Sequence, residues 1–186
     1  MTAATRLSEQ AFLRLAETDP DGFWEFVDGM PRSKPPTSAD HNFIAFELAF
    51  RLRLVIDPTH YELRVNASLV RWSERNSFIP DVAVLPRDHV APQKGAGKLE
   101  RNSESLPLVV EIWSPSTDGY DLDVKVAAHK ARGDEEIWRI HPYDRTLTRW
   151  LRQDGDAYAE MTHRGGAVEL HALPGVTIDL DALFGG

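Results

Sequence analysis

Two short runs of β-branched and aliphatic residues, Ile79 to Leu85 and Leu108 to Trp113, each carry one carboxylate, Asp81 and Glu111. No other feature constrains the chain as much. Short continuous apolar runs of this kind are typical of strands covered on both faces. An acid inside such a strand is costly to bury unless it is paired or holds a metal. A helical stretch carrying Lys125 follows the second run. Two such acids, followed by a cation on the next element, look like a small metal-dependent site.

The remaining pattern dictates a mixed α/β, or α+β, domain with a central mixed β-sheet flanked by helices. Ser8 to Glu17 has the apolar spacing of a short amphipathic helix. Phe23 to Val27 reads as a strand, Asp28-Gly29 as a hairpin turn, and Met30 to Lys34 as the return strand, stopped by Pro35-Pro36. Ser38 or Asp40 can cap a helix over Ala39 to Ile56. Its apolar residues wrap so widely that the helix is expected to be well buried. Strand-like segments follow at Tyr61 to Val65, Ala67 to Trp72 and Ile79 to Leu85.

Residues 86–105 lack periodicity and read as a mobile loop or lid. After the Leu108 to Trp113 strand, a helix from Tyr120 to Arg132 is stopped by Gly133. Strands are then expected at Glu136 to His141, Thr146 to Leu151, Ala157 to Thr162 and Ala167 to Leu170, with a docking segment from Leu173 to Leu183. No repeat or linker divides the chain. The expectation is one domain over 1–186, with its core at about 23–151 and one central sheet.

Composition narrows the chemistry. The 186 residues suffice for a real core and contain no cysteine, so neither disulfides nor thiolate metal sites are available. Any metal must be held by oxygen or imidazole, which favours Mg²⁺ or Mn²⁺. No apolar stretch approaches the roughly 18 residues of a membrane span. The first residues lack a signal-peptide layout, so the expected location is cytoplasmic, with no membrane partner. The net charge of −8 counts against a strong non-specific nucleic-acid binder. Arg51 with Arg53, Arg71 with Arg75, and Arg145 with Arg149 and Arg152 are too dispersed to define a groove.

Pro80 keeps the residue before it extended, which puts Asp81 at the start of its strand. Glu111 lies near the end of the next one. On adjacent strands the two could share a divalent ion, or could be strand-end acids facing water. Asp121, Lys125 and His129 recur every fourth residue and share one helical face. They are either an ordinary i,i+4 pairing or a set that leans over the two acids. Glu25 lies on the strand face opposite Trp24 and Phe26. His41 opens the long helix as a cap, a packing residue or a ligand. Glu47 is a weaker candidate acid.

These motifs together resemble the Uma-two restriction-endonuclease family of the PD-(D/E)XK nuclease superfamily. The resemblance runs from about Phe23 to Leu151. It rests on Trp24 to Gly29, Pro35 to His41, Pro80 to Val84, Leu108 to Thr117, Asp121 to Lys125 and Gly133 to Trp138, in that order. It implies a restriction-endonuclease-like core and divalent-metal-dependent hydrolysis of phosphodiesters, with DNA as the substrate and a homodimer as a plausible assembly. By the resemblance Asp81 and Glu111 are the metal-binding acids, with Mg²⁺ or Mn²⁺ as the ion. Lys125 replaces the lysine expected at Trp113, and Glu25 completes the catalytic set. His41 and His129 are substrate-binding positions. The chain departs from the family pattern at His129 (usually tyrosine), at Asp134-Glu135 (usually valine-proline) and at His141 (often aspartate). The competing expectations are a catalytically inactive nuclease-fold module for nucleic-acid binding or assembly, and a metal-dependent hydrolase of small phosphate esters.

Overall fold

A computed structural model describes residues 6–19, 22–95, 97–116 and 119–185, and the side chains of 119–121 lie outside what it describes. The elements run α1 (Glu9–Thr18), β1 (Trp24–Val27), β2 (Met30–Ser33), α2 (Ala39–Val55), β3 (Tyr61–Val65), β4 (Leu69–Ser73), β5 (Asn76–Phe78) and β6 (Val82–Pro86). They continue with α3 (Arg87–Val90), a 3₁₀ turn (Ala91–Gln93), β7 (Arg101–Asn102), β8 (Leu108–Ile112), α4 (Gly119–Arg132) and β9 (Glu136–His141). The chain closes with β10 (Thr146–Arg152), β11 (Tyr158–His163), β12 (Ala167–Glu169), β13 (Thr177–Asp179) and α5 (Leu180–Leu183).

The centre is a six-stranded mixed sheet in the order β11-β10-β9-β8-β6-β3. Its only parallel pairing is β8 with β9, and α4 makes the crossover that such a pairing requires. The strands alternate strictly. Val82, Val84, Leu108, Val110 and Ile112 pack with Ile44, Leu48 and Leu52 of α2 and with the C-terminal segment. Ala83, Leu85, Val109 and Ile137 face the other way, toward Val126 of α4 and Val70 of β4. This two-sided burial is why β6 and β8 read as continuous apolar runs.

The expected central mixed sheet flanked by helices is present, but it does not take every strand. A second sheet, β2-β1-β5-β4-β7, has Phe12 of α1 packed with Phe26 and Leu69. A small β12-β13 ladder makes a third. The β1–β2 hairpin closes through Asp28 at φ 54° and Gly29 at φ 78°, the left-handed conformations a two-residue turn demands. Ser38 caps α2, its Oγ accepting the His41 N–H at 3.2 Å.

Two expectations are corrected. Residues 86–105 are not a featureless lid, because α3, the 3₁₀ turn and β7 occupy them and β7 pairs with β4. Nor is α2 buried all round. Ile44, Ala45, Leu48 and Leu52 face the core, while Phe43, Phe46, Phe50 and Leu54 lie open to solvent. Among the described residues, no helix is long and apolar enough to cross a membrane.

Candidate functional site

Strand pairing sets the two acids side by side. β6 and β8 run antiparallel with Val82 opposite Val110, and the ladder continues where the Asp81 N–H donates to the Val110 carbonyl at 3.1 Å. Asp81 then turns its carboxylate onto the neighbouring strand, where Oδ2 accepts the Ile112 N–H at 2.6 Å. Two further groups close on it. Lys34, at the end of β2, places Nζ 2.8 Å from Oδ1, and His41, in the first turn of α2, places Nε2 3.0 Å from Oδ2. Lys34 also donates to Asn66 Oδ1 and to the Ile79 carbonyl, each at 2.7 Å. Burial alone would raise the Asp81 pKa. The Lys34 ammonium and the His41 hydrogen bond outweigh it and hold the carboxyl well below the usual range.

Glu111 faces α4. Lys125 and His129, one helical turn apart, both reach it: Lys125 Nζ lies 3.7 Å from Oε2 and His129 Nε2 lies 3.2 Å from Oε1. Lys125 makes its shorter contact with Glu25 of β1, at 2.8 Å. The same Glu25 oxygen accepts the Ile79 N–H at 2.9 Å. One ammonium therefore joins the second sheet to the central sheet. Burial disfavours the charged lysine, but Glu111 and Glu25 more than offset this and raise its pKa above the ordinary value. The side chain of Asp121, expected on the same helical face, lies outside the described residues.

Sequence reasoning missed the next layer. Gly133, at φ 78°, ends α4 and turns the chain so that the Asp134 N–H donates to the His129 carbonyl at 3.1 Å. This returns the Asp134 carboxylate to His129 Nδ1 at 2.9 Å, with Arg132 Nε at 3.2 Å. His129 is thus clamped between Asp134 and Glu111. Burial lowers its pKa, hydrogen bonds to the two carboxylates raise it more, and the net direction is upward. His129 and Asp134 are two of the positions where the chain departs from the pattern it resembles, and in space they are one feature. Lys34 left no signal in the sequence, since it meets Asp81 only through tertiary contact, whereas Arg132 pairs locally with Asp134, two residues on.

The expected residues therefore do converge. Glu25, His41, Asp81, Glu111, Lys125 and His129 are all buried, and the described contacts link them into two adjoining clusters, one around Asp81 and one around Lys125. Lys125 does not bridge Asp81 and Glu111, however: the cation in direct contact with Asp81 is Lys34.

A hard divalent ion needs several free oxygen donors. Here both Asp81 oxygens are engaged, and Glu111 is held by Lys125 and His129. Among the described residues, no group of three or more histidines, aspartates or glutamates is arranged to hold a metal ion. His41 Nδ1 is buried here with no hydrogen-bond partner among the described residues. In this arrangement the two acids are engaged by protein cations and a backbone amide rather than left open.

At the same end of the sheet, an aromatic group faces outward. Trp113, two residues beyond Glu111, stacks on His141 with ring centres 4.5 Å apart, and Tyr143 meets Trp113 edge-on at 5.6 Å. The Tyr143 hydroxyl lies 3.4 Å from Ser38 Oγ, the cap of α2. An apolar cavity of about 350 Å³, lined by Phe23, Lys34, Pro35, Pro36, Thr37 and Asn66, opens beside the centre.

Comparison with known proteins places these features in a group. The family model Uma2, described as "Putative restriction endonuclease", matches residues 9–181. Compared with curated proteins, the chain finds no match. Among solved structures, it is similar to the crystal structure of a "putative nuclease belonging to DUF820" from Anabaena variabilis. That match has a TM-score of 0.75 at 19% identity and covers 96% of this chain and 97% of the other. At that identity the likeness establishes the nuclease-like fold.

Proposed function

The chain belongs to the Uma2 family, and from that premise we propose that it is a nucleic-acid-binding protein on a nuclease fold whose centre is a closed ion-pair network. The observation that carries this is the engagement of Asp81 on every side, by Lys34, His41 and the Ile112 amide. An acid so held is a structural group. The Trp113–His141–Tyr143 cluster supports the nucleic-acid part of the reading. Aromatic faces stack on unpaired bases regardless of sequence, each worth about 1–3 kcal/mol. Half-exposed Tyr143 is the ring best placed to receive one.

The test is fluorescence anisotropy of a labelled single-stranded oligonucleotide in EDTA, over a range of salt. Metal-independent, salt-sensitive binding that weakens about tenfold in Tyr143→Ala is expected. No binding by the wild type at low salt would overturn the reading.

A second reading is favoured by one observation: Lys125 lies between Glu25 and Glu111, with Asp81 on the adjacent strand. In that reading the protein is a divalent-metal-dependent endonuclease, and Asp81 and Glu111 hold the ion once Lys34 and His41 release it. A bound Mg²⁺ would supply an activated water and a neutralised phosphate. Lys125 and Glu25 would carry charge and proton at the scissile group, and His41 and His129 would orient the acids from behind. Plasmid nicking in Mg²⁺ or Mn²⁺, abolished by Asp81→Asn and by Glu111→Gln, would replace the first reading with this one.

A further inference from the structure

We propose that the edge of the central sheet at the start of β3 holds a binding site for a pyrophosphate group, free or carried by a nucleotide. A cavity of about 280 Å³ opens there. Four cations line it: Arg53 in the last turn of α2, Arg64 on β3, Arg87 at the start of α3 and Lys94 just after the 3₁₀ turn. Such a gathering runs against the chain's net charge of −8. The place is also separate from the buried centre. β3 runs from Tyr61, opposite Pro86, to Val65, opposite Val82. About 13 Å of strand therefore separates Tyr61, on the cavity, from the end of β3 near Asp81.

The charge count leaves two guanidiniums over. Glu62 pairs with Lys94 and with Arg64. Glu100 takes Arg64 in a two-pronged contact, from Nε at 3.0 Å and Nη2 at 2.7 Å. Two cations are thereby balanced by two acids. Arg53 has no hydrogen-bond or ion-pair partner among the described residues. Arg87 donates from Nη1 to the Pro58 carbonyl at 2.6 Å, a neutral acceptor that fixes the side chain and leaves its charge unspent. Asp57, close by in sequence, is turned onto Thr59 and His60, and neither it nor Asp88 lines the cavity.

An edge strand needs charge to deter pairing with another chain, and the two balanced pairs already provide it. Two unspent guanidiniums on one cavity call for an anion. Each guanidinium presents parallel N–H donors that match two oxygens of one phosphoryl group. Two such forks match two adjoining phosphoryl groups. Ile56, Tyr61 and Leu63 form an apolar wall of the same cavity, a surface for the body that a nucleotide carries beside its phosphates. The volume sits at the small end for ligand pockets, about 300–1,000 Å³, so the site takes the phosphates and what adjoins them. This inference does not depend on what the buried centre does.

Isothermal titration calorimetry of the full chain in metal-free buffer tests it, with inorganic pyrophosphate, ADP and citrate as probes. Pyrophosphate is expected to bind one to one with submillimolar affinity, and citrate at least about tenfold more weakly. Tighter binding of ADP than of pyrophosphate would identify a nucleotide as the source, and the reverse would identify the free ion. Arg53→Gln and Arg87→Gln should each weaken binding about tenfold or more, with unchanged far-ultraviolet circular dichroism. Arg14→Gln removes the same charge from an exposed position of α1 and should leave the affinity nearly unchanged. No binding of pyrophosphate by the wild type at about 1 mM would overturn the proposal. So would equal weakening by Arg14→Gln, which would reduce the effect to net charge, or citrate that binds as tightly as pyrophosphate. An oligonucleotide without terminal phosphates that loses affinity in the Arg53 and Arg87 variants, with pyrophosphate inert, would give the cavity to a nucleic-acid backbone instead.

Discussion

Lys125 is the side chain on which the buried centre most depends. It is the cation that Glu25 touches directly, and it also faces Glu111. Removing one partner of a buried pair leaves an uncompensated charge and costs about 3–5 kcal/mol. Lys125→Met should therefore lower the thermal midpoint steeply, and adding Glu25→Gln should recover part of the loss; an unchanged midpoint would mean the lysine is not paired in solution. His129 makes a second prediction, in pH. Its folded-state pKa is raised above 6.5, so the folded state holds its proton more tightly than the unfolded chain. The stability it contributes is fully present below 6.5 and is lost as pH rises through the higher folded value. Thermal midpoints of the wild type should fall over that interval, and His129→Gln should remove that part of the slope.

At the scale of elements, the segment between β6 and β8 shows what pattern can and cannot tell. Strands such as Tyr61–Val65 and Glu136–His141 and the helix Ala39–Val55 could be read closely from period and punctuation. Residues 86–105 could not, because what orders them is stitching between distant backbone groups. Gln93 Nε2 donates to the carbonyls of His89 and Arg101, and Gln93 Oε1 accepts the Arg101 N–H at 2.8 Å. One amide thus pins the 3₁₀ turn to β7, and no composition rule anticipates it. Gln93→Ala should leave the global midpoint nearly unchanged but speed amide hydrogen exchange at Arg101 and Asn102 by about tenfold or more, the signature of local opening. The open face of α2 was hidden for a related reason. A helix with apolar residues on most of its circumference is compatible with complete burial or with a partner, and only its placement on the sheet separates the two.

Across the whole molecule, the centre is where the two larger sheets and two helices meet. Glu25 comes from one sheet, Asp81 and Glu111 from the other, His41 from α2, and Lys125 and His129 from α4. The acids were legible because each interrupts an apolar run. Their counter-charges were only half legible: Lys125 and His129 share a helical face that period reveals, whereas Lys34 meets Asp81 only through packing. The consequence is that four carboxylates face three permanent cations and a histidine whose pKa is raised. Such a cluster is close to neutral before any ion enters, so a divalent cation would have to displace a lysine to gain a ligand. Binding linkage makes this measurable. An ion present at 100 times its dissociation constant stabilises the folded state by about 2.7 kcal/mol, roughly 5–10 °C in the midpoint for a chain of this size. Millimolar Mg²⁺ or Mn²⁺ should therefore move the wild-type midpoint by less than about 1 °C, a shift too small for a specific site. Lys34→Met frees one Asp81 oxygen and leaves the cluster negative, so this variant should be less stable in EDTA and should gain several degrees from Mn²⁺. A wild type that responds as strongly as the variant would mean that Lys34 yields to the ion unaided, and that the ion pairs around Asp81 are a resting state of a metal centre.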